Sequence, residues 1–376
     1  MFDDDELLFS ERPEWSDVTP LEQYENLNPL APIFYTDEYK DATNYLRAIV
    51  KSGEKTKRVL ELTENIIKQN PAHYSAWQYR YETFITLLFP SSPPKPSKAL
   101  ATNPMVIAEL ALMDELAVRF LKTYQVWHHR RLLVALTRQP RRELGFIKKS
   151  LEADAKNYHT WSYRQWTLAF FGGAGGGGGV AVESSDENDI DFEVGEDLWA
   201  GELDFVDAML AQDIRNNSAW HHRFFVVWGC GVREGELDRE RISKRELIFV
   251  KQHISFAPNN PSAWNYLRGI LRHTSTPFSS VAAFAEPYTS SKESISRDNI
   301  VDLDNPRPGE GAELPCSEAL EFMADVHEAK TTEEGVNSAV EIWKNLATEH
   351  DTMRKKYWEH RIRSAHRSLN TATNAA

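Results

Sequence analysis

Two pairs of adjacent histidines, His128-His129 and His221-His222, are the first residues in this 376-residue sequence that suggest metal chemistry. Histidine nitrogens are common ligands of zinc and of other transition metals. Neighbouring residues on a helix, however, point about 100° apart, so two adjacent histidines converge poorly on one ion. We therefore interpret both pairs as packing residues of helices.

Cysteine and glycine offer no stronger sign of a site. The two cysteines, Cys230 and Cys316, can form neither a four-cysteine zinc site nor a disulfide framework, and their isolation is typical of a reducing compartment. Residues 173–178 match the formal spacing G-x-G-x-x-G. No predicted strand precedes this stretch and no helix directly follows it, so it is interpreted as low-complexity sequence rather than a nucleotide loop.

The net charge of -13 limits the anionic partners that the chain could bind. Such a charge argues against a protein that coats nucleic acid or an anionic membrane. Eight of the acidic residues fall between positions 183 and 197 without one Lys or Arg, directly after the glycine tract. This composition predicts a disordered insert at about 172–198. Any anionic ligand must then meet a local basic cluster.

The start of the sequence predicts a cytoplasmic protein. Residues 3–6 are all acidic, whereas secretory and mitochondrial leaders are basic. No apolar run reaches the roughly 18 to 20 residues that span a bilayer.

Tryptophan marks an internal repeat. Six of the eleven tryptophans are followed by Tyr or His two residues later, and by Arg three residues later in five copies and four residues later in the copy at Trp264. Residues three apart lie on one face of a helix, so the pattern predicts a repeated packing contact between helices. The six are Trp77, Trp127, Trp161, Trp220, Trp264 and Trp358.

Each copy has the signature of a helical hairpin. Asn or Pro, which favour turns and helix starts, precedes several of the tryptophans, and a second amphipathic segment follows. Trp127 and Trp161 are 34 residues apart, which is the length of a two-helix repeat. The predicted fold is all-α, an alpha-alpha superhelix (solenoid) of about six or seven antiparallel helical hairpins, one of them a degenerate hairpin around 316–327, with negligible strand.

The same pattern divides the chain. We predict an extended N-terminal arm at 1–34, a helical-hairpin domain at 35–370 and a disordered tail at 371–376. Flexible surface inserts are predicted at about 90–104, 172–198 and 274–315, because Pro, Ser, Gly and Asp accumulate there. Such inserts are compatible with a regular fold, since the entropy of loop closure grows slowly with length.

Three repeat segments, 122–131, 154–166 and 259–270, resemble the alpha subunits of the protein prenyltransferases, namely farnesyltransferase and type I geranylgeranyltransferase. The resemblance covers most of the chain apart from the inserts and the last residues. It implies an obligate heterodimer that transfers a farnesyl or geranylgeranyl group from its diphosphate to the Cys of a C-terminal C-a-a-X sequence. It also implies that this chain binds no cofactor, and that zinc, held by the beta subunit, and magnesium belong to the heterodimer.

The resemblance also assigns site residues. Lys122 and Tyr158 match residues that contact the diphosphate, and Gln125 matches the residue that holds the carboxylate of the protein substrate. Tyr124, His159 and Tyr74 match further residues of the substrate cleft. Thr123 departs from the Asn that is common before this Tyr, which puts the helix cap beside Lys122 in doubt.

Two alternative functions remain open at this stage. The first is a free-standing helical-repeat scaffold that binds peptides without any catalytic role. The second is the alpha subunit of the Rab-directed geranylgeranyltransferase, against which the N-terminal match and the missing leucine-rich extension argue.

Overall fold

The computed structural model describes residues 7–24, 28–172, 196–230, 236–291, 302–309 and 311–375. Within these ranges the backbone is helical or irregular and contains no β-strand, which confirms the predicted all-α fold. The chain divides into two compact units, Met1–Phe171 and Gly172–Ala376.

The described residues of the first unit form three helix pairs, each joined by a turn of four residues. A single helix, α1, precedes the pairs. Gly172, the last residue of α7, belongs to the second unit. The helices are α1 Asp37–Ser52, α2 Lys57–Gln69, α3 Tyr74–Leu88, α4 Pro104–Arg119, α5 Tyr124–Thr137, α6 Pro140–Ala153 and α7 Tyr158–Gly172.

The second unit repeats this arrangement with the pairs α9–α10, α11–α12 and α14–α15, and α14 confirms the hairpin predicted around 316–327. α10 continues into a π-helix at Phe225–Cys230, and α15 into another at Leu346–His350. The helices are α8 Glu196–Trp199, α9 Glu202–Gln212, α10 Asn217–Phe224, α11 Glu236–Phe256, α12 Pro261–His273, α13 Ala282–Ala285, α14 Ser317–Glu328, α15 Glu333–Asn345 and α16 Lys355–Ala375.

The repeated tryptophan stabilises the turn of its own hairpin by a hydrogen bond. In five copies its indole Nε1 donates a hydrogen bond to the main-chain carbonyl six residues earlier, across the four-residue turn. The acceptors are Pro71 (2.8 Å), Leu121 (2.9 Å), Ala155 (2.9 Å), Ile214 (2.8 Å) and Pro258 (2.8 Å). Trp358 differs, because it donates to the Oδ2 atom of Asp351 at 3.1 Å.

The residues two and three places after the tryptophan meet at buried carboxylates. Glu109 of α4 accepts hydrogen bonds from Arg80 of α3 and contacts His129 of α5. In the second unit, Glu246 of α11 accepts hydrogen bonds from Arg223 of α10 and from the hydroxyl of Tyr266 of α12. A buried charge is costly unless it is paired and hydrogen bonded, so each shared carboxylate requires Arg on one helix and a polar ring on another.

The structure differs from the predicted insert at 274–315. Residues 278–288 form three short helical turns, in which Phe284 and Tyr288 are buried. Both rings pack on Trp264, at centroid distances of 6.2 and 6.0 Å. This segment belongs to the core because its aromatic residues cover a repeat tryptophan, whereas the surrounding Ser and Pro suggested a surface loop.

Other predicted irregular segments also contain helix. Lys98–Thr102 is a 3₁₀-helix in the insert at 90–104, and in the arm at 1–34 the buried rings of Phe9 and Trp15 pack on Tyr45 of α1. α16 continues to Ala375, through the predicted tail, since neither Pro nor Gly interrupts it. Residues 173–195 of the glycine-acidic insert lie outside the described residues.

Candidate active site

A cleft of about 610 Å³ opens in the first unit, along α3, α5 and α7. It is lined by aromatic and polar side chains that come from the first two or three turns of each of these helices. They are Tyr74, Trp77, Gln78, Tyr81, Tyr124, Gln125, Trp127, His128, His129, Arg131, Leu132, Tyr158, His159, Ser162 and Tyr163.

Three tyrosines form a row at the mouth of the cleft. Tyr74, Tyr124 and Tyr158 are the first residues of α3, α5 and α7, three places before a repeat tryptophan. Their side chains are 74%, 66% and 68% exposed, so the repeat positions them without burying them. The equivalent positions of the second unit hold Asn217, Pro261 and Lys355. The row of phenols is therefore a property of the first unit.

His159 lies between two of these phenols. Its ring centroid is 4.3 Å from that of Tyr124 and 5.6 Å from that of Tyr158, each at an interplanar angle of 83°. Burial lowers the pKa of His159, because it disfavours the charged imidazolium. At neutral pH the imidazole is uncharged, and it can orient the neighbouring phenols without repelling a cationic group.

Gln125 follows Tyr124 directly on α5. Its Nε2 atom donates to the main-chain carbonyl of Ala72, in the turn before α3, at 3.3 Å. This bond crosses the cleft entrance from one hairpin to the next. Five of the six predicted site residues, namely Tyr74, Tyr124, Gln125, Tyr158 and His159, thus line one cleft.

Lys122, the sixth, is placed beside the cleft and is not among its lining residues. It lies exposed in the turn between α4 and α5, two residues before Tyr124. Its ammonium group has no hydrogen-bonding or ion-pair partner among the residues that the structure describes. The group is therefore available to a ligand that reaches the mouth of the cleft.

Thr123, between Lys122 and the cleft, leaves the start of α5 without a side-chain cap. The equivalent residue before α7 is Asn157, whose Oδ1 accepts a hydrogen bond from the main-chain nitrogen of Thr160 at 3.0 Å. The departure noted in the sequence thus removes one cap bond beside the predicted diphosphate contact.

Sequence reasoning missed the second layer of the cleft. Gln78, His128 and Ser162 each follow a repeat tryptophan directly and lie four residues after a cleft tyrosine. Residues four apart share one face of a helix. The repeat register could have identified them, because the position after the tryptophan faces the same side as the position three before it.

The charge of the cleft lining favours an anion. Arg131 is the permanently charged residue among the lining side chains, and none of them is Asp or Glu. The Arg131 guanidinium lies 4.6 Å from the ring centroid of Trp166. Burial and the charge of Arg131 lower the pKa of His128, which is uncharged at neutral pH. The cleft therefore combines a positive charge with neutral hydrogen-bond donors.

The histidine pairs have structural partners. His129 and His222 are buried, and their Nε2 atoms lie 2.7 Å from Glu109 and 3.1 Å from Glu202. This confirms the packing interpretation for these two residues. Across the described ranges, no group of three or more His, Cys, Asp and Glu side chains has a geometry that could hold a metal ion.

Burial raises the pKa of the Cys316 thiol to about 12, so this sulfur stays protonated. None of the helices that the structure describes combines the length and the apolar character needed to cross a bilayer.

Comparison with known families identifies the repeat. The model of the protein prenyltransferase alpha subunit repeat matches five stretches, each of which contains one of the first five repeat tryptophans. The stretches are residues 56–86, 107–137, 140–171, 199–229 and 243–274.

Comparisons with individual proteins point to the same family. The chain is 32% identical to protein farnesyltransferase/geranylgeranyltransferase type-1 subunit alpha of Dictyostelium discoideum, over 95% of this chain and 94% of that protein. Its identity to geranylgeranyl transferase type-2 subunit alpha of Mus musculus is 30%, over 62% of this chain and 37% of that protein. Among solved structures it resembles Candida albicans protein geranylgeranyltransferase-I complexed with GGPP, with a TM-score of 0.67, 26% identity, and coverage of 93% of this chain and 98% of that one.

Proposed function

The chain belongs to the family of protein farnesyltransferase/geranylgeranyltransferase type-1 alpha subunits, and we propose from this that its cleft completes the active site of a heterodimer. In that heterodimer a farnesyl group, or a geranylgeranyl group with another beta subunit, passes from its diphosphate to the Cys of a C-a-a-X sequence. The proposed location is the cytoplasm.

The observation that carries the proposal is the row of exposed tyrosines with a free lysine at its end. The three exposed phenol hydroxyls have no hydrogen-bond partner among the described residues and are available to a ligand, and the cleft lining holds a positive charge and no carboxylate. An isoprenoid diphosphate has an apolar tail and an anionic head, which match the aromatic and the basic parts of this surface. The partner chain supplies the opposite wall.

Lys122 and Tyr158 are proposed to stabilise the leaving diphosphate. Negative charge grows on the diphosphate oxygen as its bond to the isoprenoid carbon breaks. A fixed ammonium group and a phenol O–H stabilise that charge more in the transition state than in the ground state, which accelerates the reaction. Tyr158 is the first residue of α7 and Lys122 lies two residues before α5, so the main-chain N–H groups of a helix start add to the positive field near each of them.

Gln125 is proposed to hold the C-terminal carboxylate of the protein substrate. Its amide carries two N–H donors, of which one is used by Ala72, so one remains for the carboxylate. Tyr124, His159 and Tyr74 are proposed to line the path of the isoprenoid and peptide between these two anionic ends.

The metals of the reaction are proposed to belong to the heterodimer. As the resemblance to the family implies, the beta subunit is proposed to hold zinc; the described residues of this chain include no group of three or more donor side chains that could hold a metal ion. When bound there, zinc supplies the acidity that turns the substrate thiol into a thiolate. Magnesium bound to the diphosphate would neutralise part of its charge, in addition to the charge that Lys122 supplies.

The type-2 enzyme is the weaker candidate. The similarity to the type-2 alpha subunit extends over 62% of this chain, against 95% for the Dictyostelium type-1 subunit. The oligomeric state distinguishes a free-standing peptide-binding scaffold from both enzymes. Such a scaffold would be stable and functional as a monomer, whereas both enzymes are heterodimers.

The proposal is tested by co-expressing the chain with the farnesyltransferase beta subunit of the same organism and purifying through a tag on one subunit. We expect an equimolar complex that transfers radiolabelled farnesyl to a C-a-a-X peptide, and no transfer to the same peptide with Ser in place of Cys. With a type I geranylgeranyltransferase beta subunit, the label should come from geranylgeranyl diphosphate. A stable monomer that forms no complex and supports no transfer with either partner would contradict the proposal.

A further inference from the structure

We propose that Glu109 is a positioning residue for the cleft, holding α3 and α5 at the separation that sets Tyr74 against Tyr124 and Gln125. Its effect on prenyl transfer rests on the proposed function, whereas its effect on helix separation does not.

Glu109 bridges the two helices by short hydrogen bonds. From α4, its Oε1 atom accepts from Nε of Arg80 at 2.7 Å, and its Oε2 atom accepts from Nη2 of Arg80, also at 2.7 Å. The same Oε1 atom lies 2.7 Å from Nε2 of His129 on α5. The three side chains are 2 to 4% exposed. The bridge is therefore shielded from water.

His129 connects this bridge to the floor of the cleft. Its ring is 4.9 Å from Trp77 and 5.9 Å from Tyr81 of α3, and all three side chains line the cleft. Gln125 lies four residues before His129, on the same face of α5, and Tyr74 lies three residues before Trp77 on α3. A change in the orientation of His129 would therefore move both walls.

The bridge requires an ionised carboxylate. Burial alone would raise the pKa of Glu109, but the charge of Arg80 and the hydrogen bonds from His129 and Arg80 outweigh it and hold the pKa at about 2. A carboxylate only accepts hydrogen bonds, whereas a Gln amide of the same shape places an N–H₂ group against one of these donors. Glu109→Gln thus breaks the bridge while it preserves the side-chain volume.

Glu246 provides a matched control. It accepts from Nε and Nη2 of Arg223 at 2.7 and 3.0 Å and from the hydroxyl of Tyr266 at 2.7 Å, and it is fully buried. Its flanking helices begin with Asn217 and Pro261 rather than Tyr. Glu246→Gln therefore makes the same chemical change in the second unit, without a tyrosine at the start of either helix.

The kinetic test uses the full-length heterodimer. We expect Glu109→Gln to lower kcat/KM on the order of tenfold, chiefly through KM for the C-a-a-X peptide, while the subunits still assemble at equal stoichiometry. Glu246→Gln should leave kcat/KM within about twofold. Equal losses in the two variants, or no loss in Glu109→Gln, would overturn the proposal. An inactive wild-type heterodimer would contradict the proposed function instead.

A distance measurement decides the structural part independently of turnover. Spin labels are attached at Gln78→Cys and His128→Cys in the heterodimer, with Cys230→Ser and with the buried Cys316 left in place. Glu109→Gln should broaden or shift the distance distribution, and Glu246→Gln should not. An unchanged distribution in Glu109→Gln would overturn the proposal. If that variant does not fold, Arg80→Lys, which keeps the charge but loses the two-pronged bond, should give the same broadening, and an unchanged distribution would be equally contradictory.

Discussion

At the scale of single residues, the repeat fixes where a side chain lies and the residue type decides what it can do. Tyr74, Tyr124 and Tyr158 occupy equivalent positions at three helix starts, and they remain exposed because the adjoining tryptophans supply the packing. Their common position could be read from the sequence as Tyr-x-x-Trp. Their function could not, because an exposed phenol at a helix start is equally compatible with plain surface.

Lys122→Ala should slow prenyl transfer without affecting assembly. Removing one charge contact to the leaving group is expected to reduce kcat on the order of 10²-fold. Arg215 lies five residues before Trp220, as Lys122 does before Trp127, and it is likewise exposed. Steady-state kinetics of Arg215→Ala should match the wild type. Unchanged turnover of Lys122→Ala at saturating substrate would remove this lysine from the site.

Thr123→Asn should stabilise the start of α5. The substitution supplies the cap that Asn157 supplies to α7, and an added cap contributes about 1 kcal/mol to the free energy of unfolding. Denaturant unfolding should show a higher midpoint for Thr123→Asn and a lower one for Asn157→Ala. A lower midpoint for Thr123→Asn would mean that the backbone of this turn does not accept a side-chain cap.

At the scale of elements, the hairpin is held by tryptophan across its turn and by shared carboxylates between helices. The spacing of Trp, Tyr/His and Arg predicted the helices and their pairing, because these residues recur with the period of the fold. Glu109 and Glu246 escaped prediction because the tryptophan motif does not include them. Each lies on the helix after its Arg, at a separation that varies (29 and 23 residues), and 20 residues before its ring partner, a constant spacing that the sequence does carry. Phe284 and Tyr288 escaped it because their neighbours, Ser and Pro, suggested an exposed loop.

Trp264→Phe should cost about 2 kcal/mol of stability, since it removes the indole hydrogen bond to the carbonyl of Pro258 and opens a small cavity. The carbonyl then retains the weaker thiol donor of Cys316, at 3.1 Å. Trp166 is a suitable comparison, because it stacks on Tyr163 and Phe170 and its indole nitrogen has no acceptor among the described residues. Trp166→Phe should cost less than about 1 kcal/mol. Equal costs, measured by denaturant unfolding, would show that the bond across the turn contributes little.

At the scale of the whole molecule, the two units share one kind of helical hairpin but differ in the residues at its helix starts. Both units use the same hairpin, yet the first carries the row of tyrosines and the second holds Asn, Pro and Lys at those positions. The net charge of -13 gave no sign of an anion site, because much of the acidic excess lies in residues 183–197, most of which are outside the described structure. The distribution of charge was therefore more informative than its sum.

Stability should depend on pH through Glu109. The pKa of this group is about 2 in the folded chain and near 4.5 when unfolded, so its contribution is complete above pH 4.5 and is lost as the pH falls towards 2. At neutral pH, Glu109→Gln should unfold about 3 kcal/mol more easily than the wild type. Urea unfolding at several pH values should show this difference vanish near pH 2. A difference that does not change with pH would mean that the carboxylate is not held ionised.

The central claim, that the cleft of the first unit faces the reacting diphosphate, is tested most directly by hydrogen exchange in the intact heterodimer. Addition of the isoprenoid diphosphate should slow exchange of main-chain amides at 122–125 and 156–159, the starts of α5 and α7. The equivalent turns at 215–218 and 259–262, which lack the tyrosines, should exchange as before. Protection confined to the turns of the second unit, or no protection at 122–125 and 156–159 while the ligand is bound, would contradict it.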